Sequence, residues 1–271
     1  MADSFTPTVL TIAGSDPYGG AGIQVDSKVI HKLGGYAFTV ITALTAQNST
    51  GVKDVLHTPT EHFKIQLHSI LDDIEIDAVK IGMLANAEII SIVAQAIEKY
   101  QLKNIVLDTV LVSSSGKALL EPSAVEVMVK ELFPRVDLIT PNIPEVNRLL
   151  GTDFTGKSDE IALMAKGLFE LGANSVLIKG GHSLDKKSAT DYLVEQDSAV
   201  IPFETVRLQT SHTHGTGCVL SSAIATNLAK NESLKNSVRL AKEFLYQSLQ
   251  ASSHIKFKYH SQNDTRKEPF V

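Results

Sequence analysis

The stretch TVLTIAGSDPYGGAGIQVDSKVIHKL, from Thr8 to Leu33, decides the fold. Its first six residues, Thr8 to Ala13, form a β-prone apolar run. It breaks at Gly14-Ser-Asp-Pro-Tyr-Gly-Gly20, a loop whose glycines let a backbone approach a ligand closely. From about Ala21 to Leu33 the pattern is helical. A strand, a glycine loop and a helix in that order open a unit whose next strand lies parallel to the first.

Further apolar strand candidates follow at Phe38 to Leu44, Ile76 to Ile81, Asn104 to Leu107, Val136 to Thr140 and Ser175 to Lys179. Helical patterns lie between most of them. One carries Ile90, Val93, Ala94 and Ile97 on a single stripe, and others run from Glu61 to Leu71, Ser123 to Leu132, Glu160 to Leu171 and Gly217 to Leu228. Strands that read as continuous apolar runs imply a mainly parallel sheet covered on both faces, with ligands at the carboxyl ends of the strands. No linker or internal repeat divides residues 1–271, so one domain is expected, ending in a polar tail from Ser253 to Val271.

The composition removes several function classes. A formal charge of -5, with Lys and Arg spread along the chain, speaks against nucleic-acid binding. Cys218 is the single cysteine, so neither an internal disulfide nor a cysteine-based zinc cage can form, as suits a reducing cytoplasm. No apolar run reaches the roughly 20 residues that span a bilayer. A small-molecule substrate is the expectation.

Two segments resemble phosphate sites. Gly151-Thr-Asp-Phe-Thr-Gly-Lys-Ser158 matches G-x-x-x-x-G-K-[ST], yet Pro144 to Leu150 before it reads as a short helix where that motif needs a strand. Gly151 is then a C-cap, and Ser158 is expected to cap the next helix. Thr213-His-Gly-Thr-Gly-Cys218, by contrast, precedes an apolar helix from Val219 to Leu228, and its glycines leave backbone N–H groups free to face an anion. Cys218 falls in the first turn, where the helix dipole lowers a thiol pKa; the alternative is a small buried hydrophobe, the commoner setting for an isolated cysteine. His212 and His214 read as loop residues.

Seven ordered motifs together resemble the hydroxymethylpyrimidine and phosphomethylpyrimidine kinases of thiamine biosynthesis. They are Ile12-Ala-Gly-Ser-Asp-Pro17, Gly19-Gly-Ala-Gly-Ile-Gln24, Val40-Ile-Thr-Ala-Leu-Thr-Ala-Gln-Asn48, Lys80-Ile-Gly-Met-Leu84, Thr140-Pro-Asn-Ile-Pro-Glu145, Lys179-Gly-Gly-His182 and His214-Gly-Thr-Gly-Cys218. The resemblance implies a ribokinase-like three-layer α/β/α sandwich, ATP and Mg²⁺ as cofactors, and two successive phosphorylations of the pyrimidine. It also implies a cytoplasmic homodimer. Gly14, Asp26, Gln47, Met83 and Val110 should line the pyrimidine pocket, and Gly215, Thr216, Gly217 and Cys218 should form the catalytic anion hole. Lys179, Asn142 and Asp191 should serve ATP, with Glu145 and Asp108 at the metal. Cys218 stands where most sugar kinases of the superfamily have aspartate. Tyr18, Ser211, His212 and Val219 depart from the commonest pattern. A pyridoxal kinase is the nearest alternative, and a catalytically silent regulator the alternative of another class.

Overall fold

Residues 8–15 pair in parallel with residues 36–44 on one side and 78–81 on the other, and the rest of the molecule is built outward from this ladder. The computed structural model describes residues 5–49, 51–111, 120–182, 187–208 and 214–251, together with the backbone of 253–255 and 266–268. In chain order the strands of the main sheet are β1 (Thr8–Ser15), β2 (Tyr36–Asn48), β3 (Gly51–His57), β4 (Ala78–Ile81), β5 (Ile105–Leu107), β6 (Leu138–Ile139), β7 (Ser175–Ile178), β8 (Ser188–Glu195) and β9 (Ile201–Val206). They lie in the order β3-β2-β1-β4-β5-β6-β7-β8-β9. The six from β2 to β7 are parallel; β3 returns antiparallel on β2, and β8 and β9 form an antiparallel meander beyond β7.

The central strands alternate between two cores. Val9, Ala78, Val106, Leu138 and Leu177 point to one face, while Leu10, Val79, Leu107, Ile139 and Val176 point to the other. Each buried branched side chain stabilises by about 1.5–3 kcal/mol, so a strand with two apolar faces needs helices on both. The first face is covered by α1 (Gly22–Lys32), α7 (Thr216–Ala229) and α8 (Leu234–Gln250). Five helices cover the second: α2 (Thr60–Leu71), α3 (Ala87–Tyr100), α4 (Pro122–Glu131), α5 (Ile143–Leu150) and α6 (Ile161–Glu170). Eight helices on two faces of a mostly parallel sheet are the three-layer sandwich that the sequence predicts.

Two departures from the expected elements matter for the site. β2 runs four residues past Leu44, and beyond Ser15 it pairs only with β3, through Asn48↔Gly51. The resulting hairpin stands clear of the sheet, and a register shift between Ala46 and Gln47 re-aims the Gln47 side chain. The meander β8–β9 and helix α8 were not anticipated, and they build one wall of the cavity described below.

The phosphate-loop pattern is a helix end, as its context implies. Gly151 adopts φ 67° at the C-cap of α5. The amides of Thr155, Gly156 and Lys157 do converge as an anion nest, but Glu160 Oε2 fills it at 2.8–3.0 Å. The N-cap position of α6 falls on Glu160 rather than Ser158, and its carboxylate makes no bond to the helix's own amides because it is turned back to the preceding loop.

Candidate active site

The parallel strands end at a cavity of about 820 Å³ lined by residues from β1, β2, β3, β4, β8, β9, α1, α5, α7 and α8 and by Lys179 just past β7. Its midpoint is the start of α7. Gly215 is the N-cap with φ 75°, and a Cβ there would lie 1.7 Å from the carbonyl oxygen of Gly20. Only glycine lets the first turn press against the Gly19-Gly20 loop. Gly215, Thr216, Gly217 and Cys218 of that turn line the cavity, and the helix dipole adds about half a positive charge there.

Beside this turn runs a row of buried charges. Lys179, just past β7, donates to Asp108 Oδ1 at 2.7 Å, and Asp108 also accepts from Thr140 Oγ1 at 3.2 Å. A Cβ on Gly217 would stand 3.2 Å from Asp108 Oδ2 and 3.4 Å from Lys179 Nζ, so the pair packs directly on the helix start. Asn142 and Glu145 close a reciprocal capping box at the head of α5, with Glu145 Oε2 accepting from the Asn142 amide at 2.9 Å and from Thr109 Oγ1 at 3.1 Å. Burial pushes the Asp108 carboxyl up, but Lys179 and Lys80 more than offset it and leave the pKa lowered. Glu145 moves the other way: burial, helped by Asp108, outweighs Lys179 and raises it.

Cys218 corrects an expectation. Its thiol is pushed up to about 11, first by burial and then by Asp26 and Asp108, against the pull of Lys80. The helix start does not make it a thiolate, because two carboxylates share its low-dielectric surroundings. Alkylation by iodoacetamide should therefore be slow at pH 8 and accelerate only as the pH climbs toward 11. A rate that levels off below pH 8 would contradict a protonated thiol.

Gly14, Gln47, Met83 and Val110 line the same cavity. A Cβ on Gly14 would meet the Met83 methyl at 2.7 Å, so the space beside Met83 exists because residue 14 has no side chain. Asp26 is not with them. It is fully buried on α1 beneath the wall, where its carboxylate accepts from Thr11, Lys80 and Ser222 at 2.6, 2.8 and 2.8 Å. A helix-face aspartate with three buried donors is held in the core and does not line the cavity.

His214, read from sequence as a loop residue, is part of this wall: Nε2 lies 3.1 Å from both Asp16 Oδ2 and Gln47 Nε2. Asp16 also accepts from the amides of Tyr18 and Ala21, and although burial raises its pKa, His214 and these amides leave it lowered. Ser211, His212 and Thr213 lie outside the described residues.

At the far end the cavity becomes a cleft between α8 and the meander, with Leu245, Tyr246 and Leu249 facing Val206 and Leu208. Asp191 on β8 accepts from the Gly180 amide at 2.9 Å and from Lys242 Nζ of α8 at 2.6 Å. Arg207 donates to the carbonyls of Gly180 and Gly181 at 3.2 and 2.8 Å. The turn after Lys179 is thus clamped from both sides.

Residues 16–263 match the family model described as phosphomethylpyrimidine kinase. The chain belongs to the phosphomethylpyrimidine kinase family. Among its relatives, the hydroxymethylpyrimidine/phosphomethylpyrimidine kinase of Escherichia coli is 43% identical over 240 residues, covering 89% of this chain and 90% of that one. The crystal structure of phosphomethylpyrimidine kinase from Clostridium difficile superposes with a TM-score of 0.78 at 38% identity, over 89% of this chain and 99% of its own. An ADP complex of Bacillus subtilis pyridoxal kinase superposes with a TM-score of 0.85 at 33% identity over 98% of both chains. Membership in the phosphomethylpyrimidine kinase family makes the chain a kinase. Among the described residues, no helix is long and apolar enough to cross a membrane.

Proposed function

We propose that this chain transfers the γ-phosphoryl group of ATP to the hydroxymethyl group of 4-amino-5-hydroxymethyl-2-methylpyrimidine, and then to the monophosphate so formed. The observation that carries the reading is the position of the α7 N-terminus and the Lys179–Asp108 pair midway along the cavity. On one side lies the small pocket of Gly14, Gln47 and Met83; on the other lies the cleft under α8. Gln47 offers both a donor and an acceptor to an aminopyrimidine edge, with Met83 and Val110 against the ring. The cleft would take the nucleotide, its phosphates reaching the amides of Gly215 to Cys218 and the ammonium of Lys179.

Transfer forms a bond from the acceptor oxygen to the γ-phosphorus and breaks the bond to the leaving ADP. The charge that spreads over the equatorial oxygens is what the helix start and Lys179 are placed to hold. A protonated Cys218 is not a base, so the first step rests on alignment, with the hydroxyl proton passing late in the step to an oxygen of the transferred phosphoryl group. The second acceptor has a pKa near 6 and arrives already ionised at neutral pH.

Asp108 and Glu145 suit a Mg²⁺ that keeps most of its waters and is shared with nucleotide phosphates. One oxygen of each, Oδ2 and Oε1, makes no hydrogen bond among the described residues, and burial near a second carboxylate already strains Glu145. Bound there, the cation would neutralise charge developing on the phosphates. Glu145→Gln keeps the capping box, so it should leave the fold intact and raise the Mg²⁺ concentration for half-maximal rate about tenfold. An unchanged Mg²⁺ dependence would remove Glu145 from the metal site.

The direct test incubates the protein with Mg-ATP and the hydroxymethylpyrimidine, with pyridoxal in parallel, and identifies products by mass. Monophosphate followed by diphosphate supports the reading. Pyridoxal phosphate alone would favour the activity named for the Bacillus subtilis neighbour.

A further inference from the structure

Lys80 has no assigned role, and its surroundings are unusual for a lysine. It sits in the middle of β4 with no exposed surface, yet it lines the cavity, so its ammonium lies just beneath the wall on the Cys218 side. Room for it is built in: a Cβ on Gly82 would lie 2.8 Å from Nζ. Among the described residues Nζ makes a single hydrogen bond, to Asp26 Oδ2 at 2.8 Å. Two N–H donors are left over, and a buried donor without an acceptor is costly unless something else supplies one.

The ion pair has a direction. Asp26 is absent from the cavity wall and is locked beneath it by Thr11 Oγ1 and Ser222 Oγ, whereas Lys80 belongs to the wall. The pair is therefore a fixed dipole with its positive end toward the ligand. In a low-dielectric site such a dipole acts strongly on an anion and weakly on a neutral alcohol. The other groups facing Lys80 are Cys218 and Asp108, and Asp108 is already paired with Lys179.

We propose that Lys80, anchored by Asp26, is the positioning residue that lets one pocket accept two substrates: it favours the phosphomonoester acceptor of the second step over the neutral hydroxymethyl acceptor of the first. This rests on the two-step reading above. Its mark is a change in preference between acceptors, which a merely structural lysine would not produce.

The experiment measures kcat/KM for both acceptors with the wild type, Lys80→Met, Lys80→Arg and the double variant Asp26→Asn/Lys80→Met. The double variant removes both charges together, so it leaves no unpaired carboxylate in the core if Lys80→Met alone fails to fold. In the double variant the ratio of kcat/KM for the phosphomonoester to that for the hydroxymethyl compound should fall about 30-fold, mostly through KM, and Lys80→Arg should restore part of it. A ratio unchanged within about threefold in a folded double variant overturns the role of Lys80 and leaves the two-step reading standing. A wild type that never forms the diphosphate overturns both.

Discussion

Lys179→Met should lower kcat by about three orders of magnitude, the largest single loss expected in this enzyme. The methionine keeps the length of the side chain and removes the one cation hydrogen-bonded to Asp108 at the mouth of α7. Two effects combine. Positive charge disappears from the point where the γ-phosphoryl oxygens gather, and Asp108 and Glu145 become neighbouring buried carboxylates with their shared counter-ion gone. Breaking a buried pair from one side costs about 3–5 kcal/mol, so the melting temperature should fall as well. Combining Lys179→Met with Asp108→Asn separates the two effects: stability should return while turnover stays low. Single-turnover kinetics beside a thermal melt would read both, and recovery of turnover in the pair would assign Lys179 a purely structural task.

Gly215→Ala should be nearly as damaging for a different reason. The new methyl carbon would need the space of the Gly20 carbonyl oxygen, 1.7 Å away, at a φ of 75° that alanine reaches only with strain. The backbone strain alone is worth about 1–3 kcal/mol, and relieving the collision must pull the head of α7 away from the Gly19-Gly20 loop. A displacement of about 1 Å at the anion-binding amides is enough to cost some 100-fold in rate. Turnover should fall with little change in the affinity of the proposed pyrimidine pocket, which Gly14 and Met83 would line. Loss of acceptor binding without loss of kcat would contradict a role in phosphoryl alignment.

The layers were legible because the parallel strands are buried on both faces and betray themselves as unbroken apolar runs. Leu177 and Ile178 are such neighbours, each in a different core. The edges were not. β3 carries Lys53 and Asp54 on a half-solvated ribbon, and β8 mixes Thr190, Asp191 and Tyr192, so neither has the continuous pattern that marks a central strand. The row from Asp108 to Cys218, proposed as the catalytic one, was reached through motifs. Its supporting pairs, Asp26 with Lys80, Asp191 with Lys242 and Asp16 with His214, join residues brought together only by the tertiary fold. A single sequence offers no local signal for such pairs, and Asp26 was misplaced for that reason. For the thiol of Cys218 the sequence left a dipole-lowered pKa and a buried hydrophobe both open, because the helix dipole is visible in sequence while the burial and the carboxylates that raise it are not.

The contact of Gly20 with Gly215 and the bridge from Asp16 to His214 also bear on how the chain is made. The bridge spans 198 positions, so its two ends leave the ribosome 198 residues apart. Until α7 has been synthesised, β1 and α1 show the apolar side of Val9, Val25 and Val29 to solvent, and no anion site exists. Between the synthesis of α1 and that of α7 the growing chain therefore carries an uncovered sticky face, a stage at which holdase chaperones would be expected to bind. Activity should appear late and abruptly, when the C-terminal helices dock and finish the catalytic centre and the second core in one event.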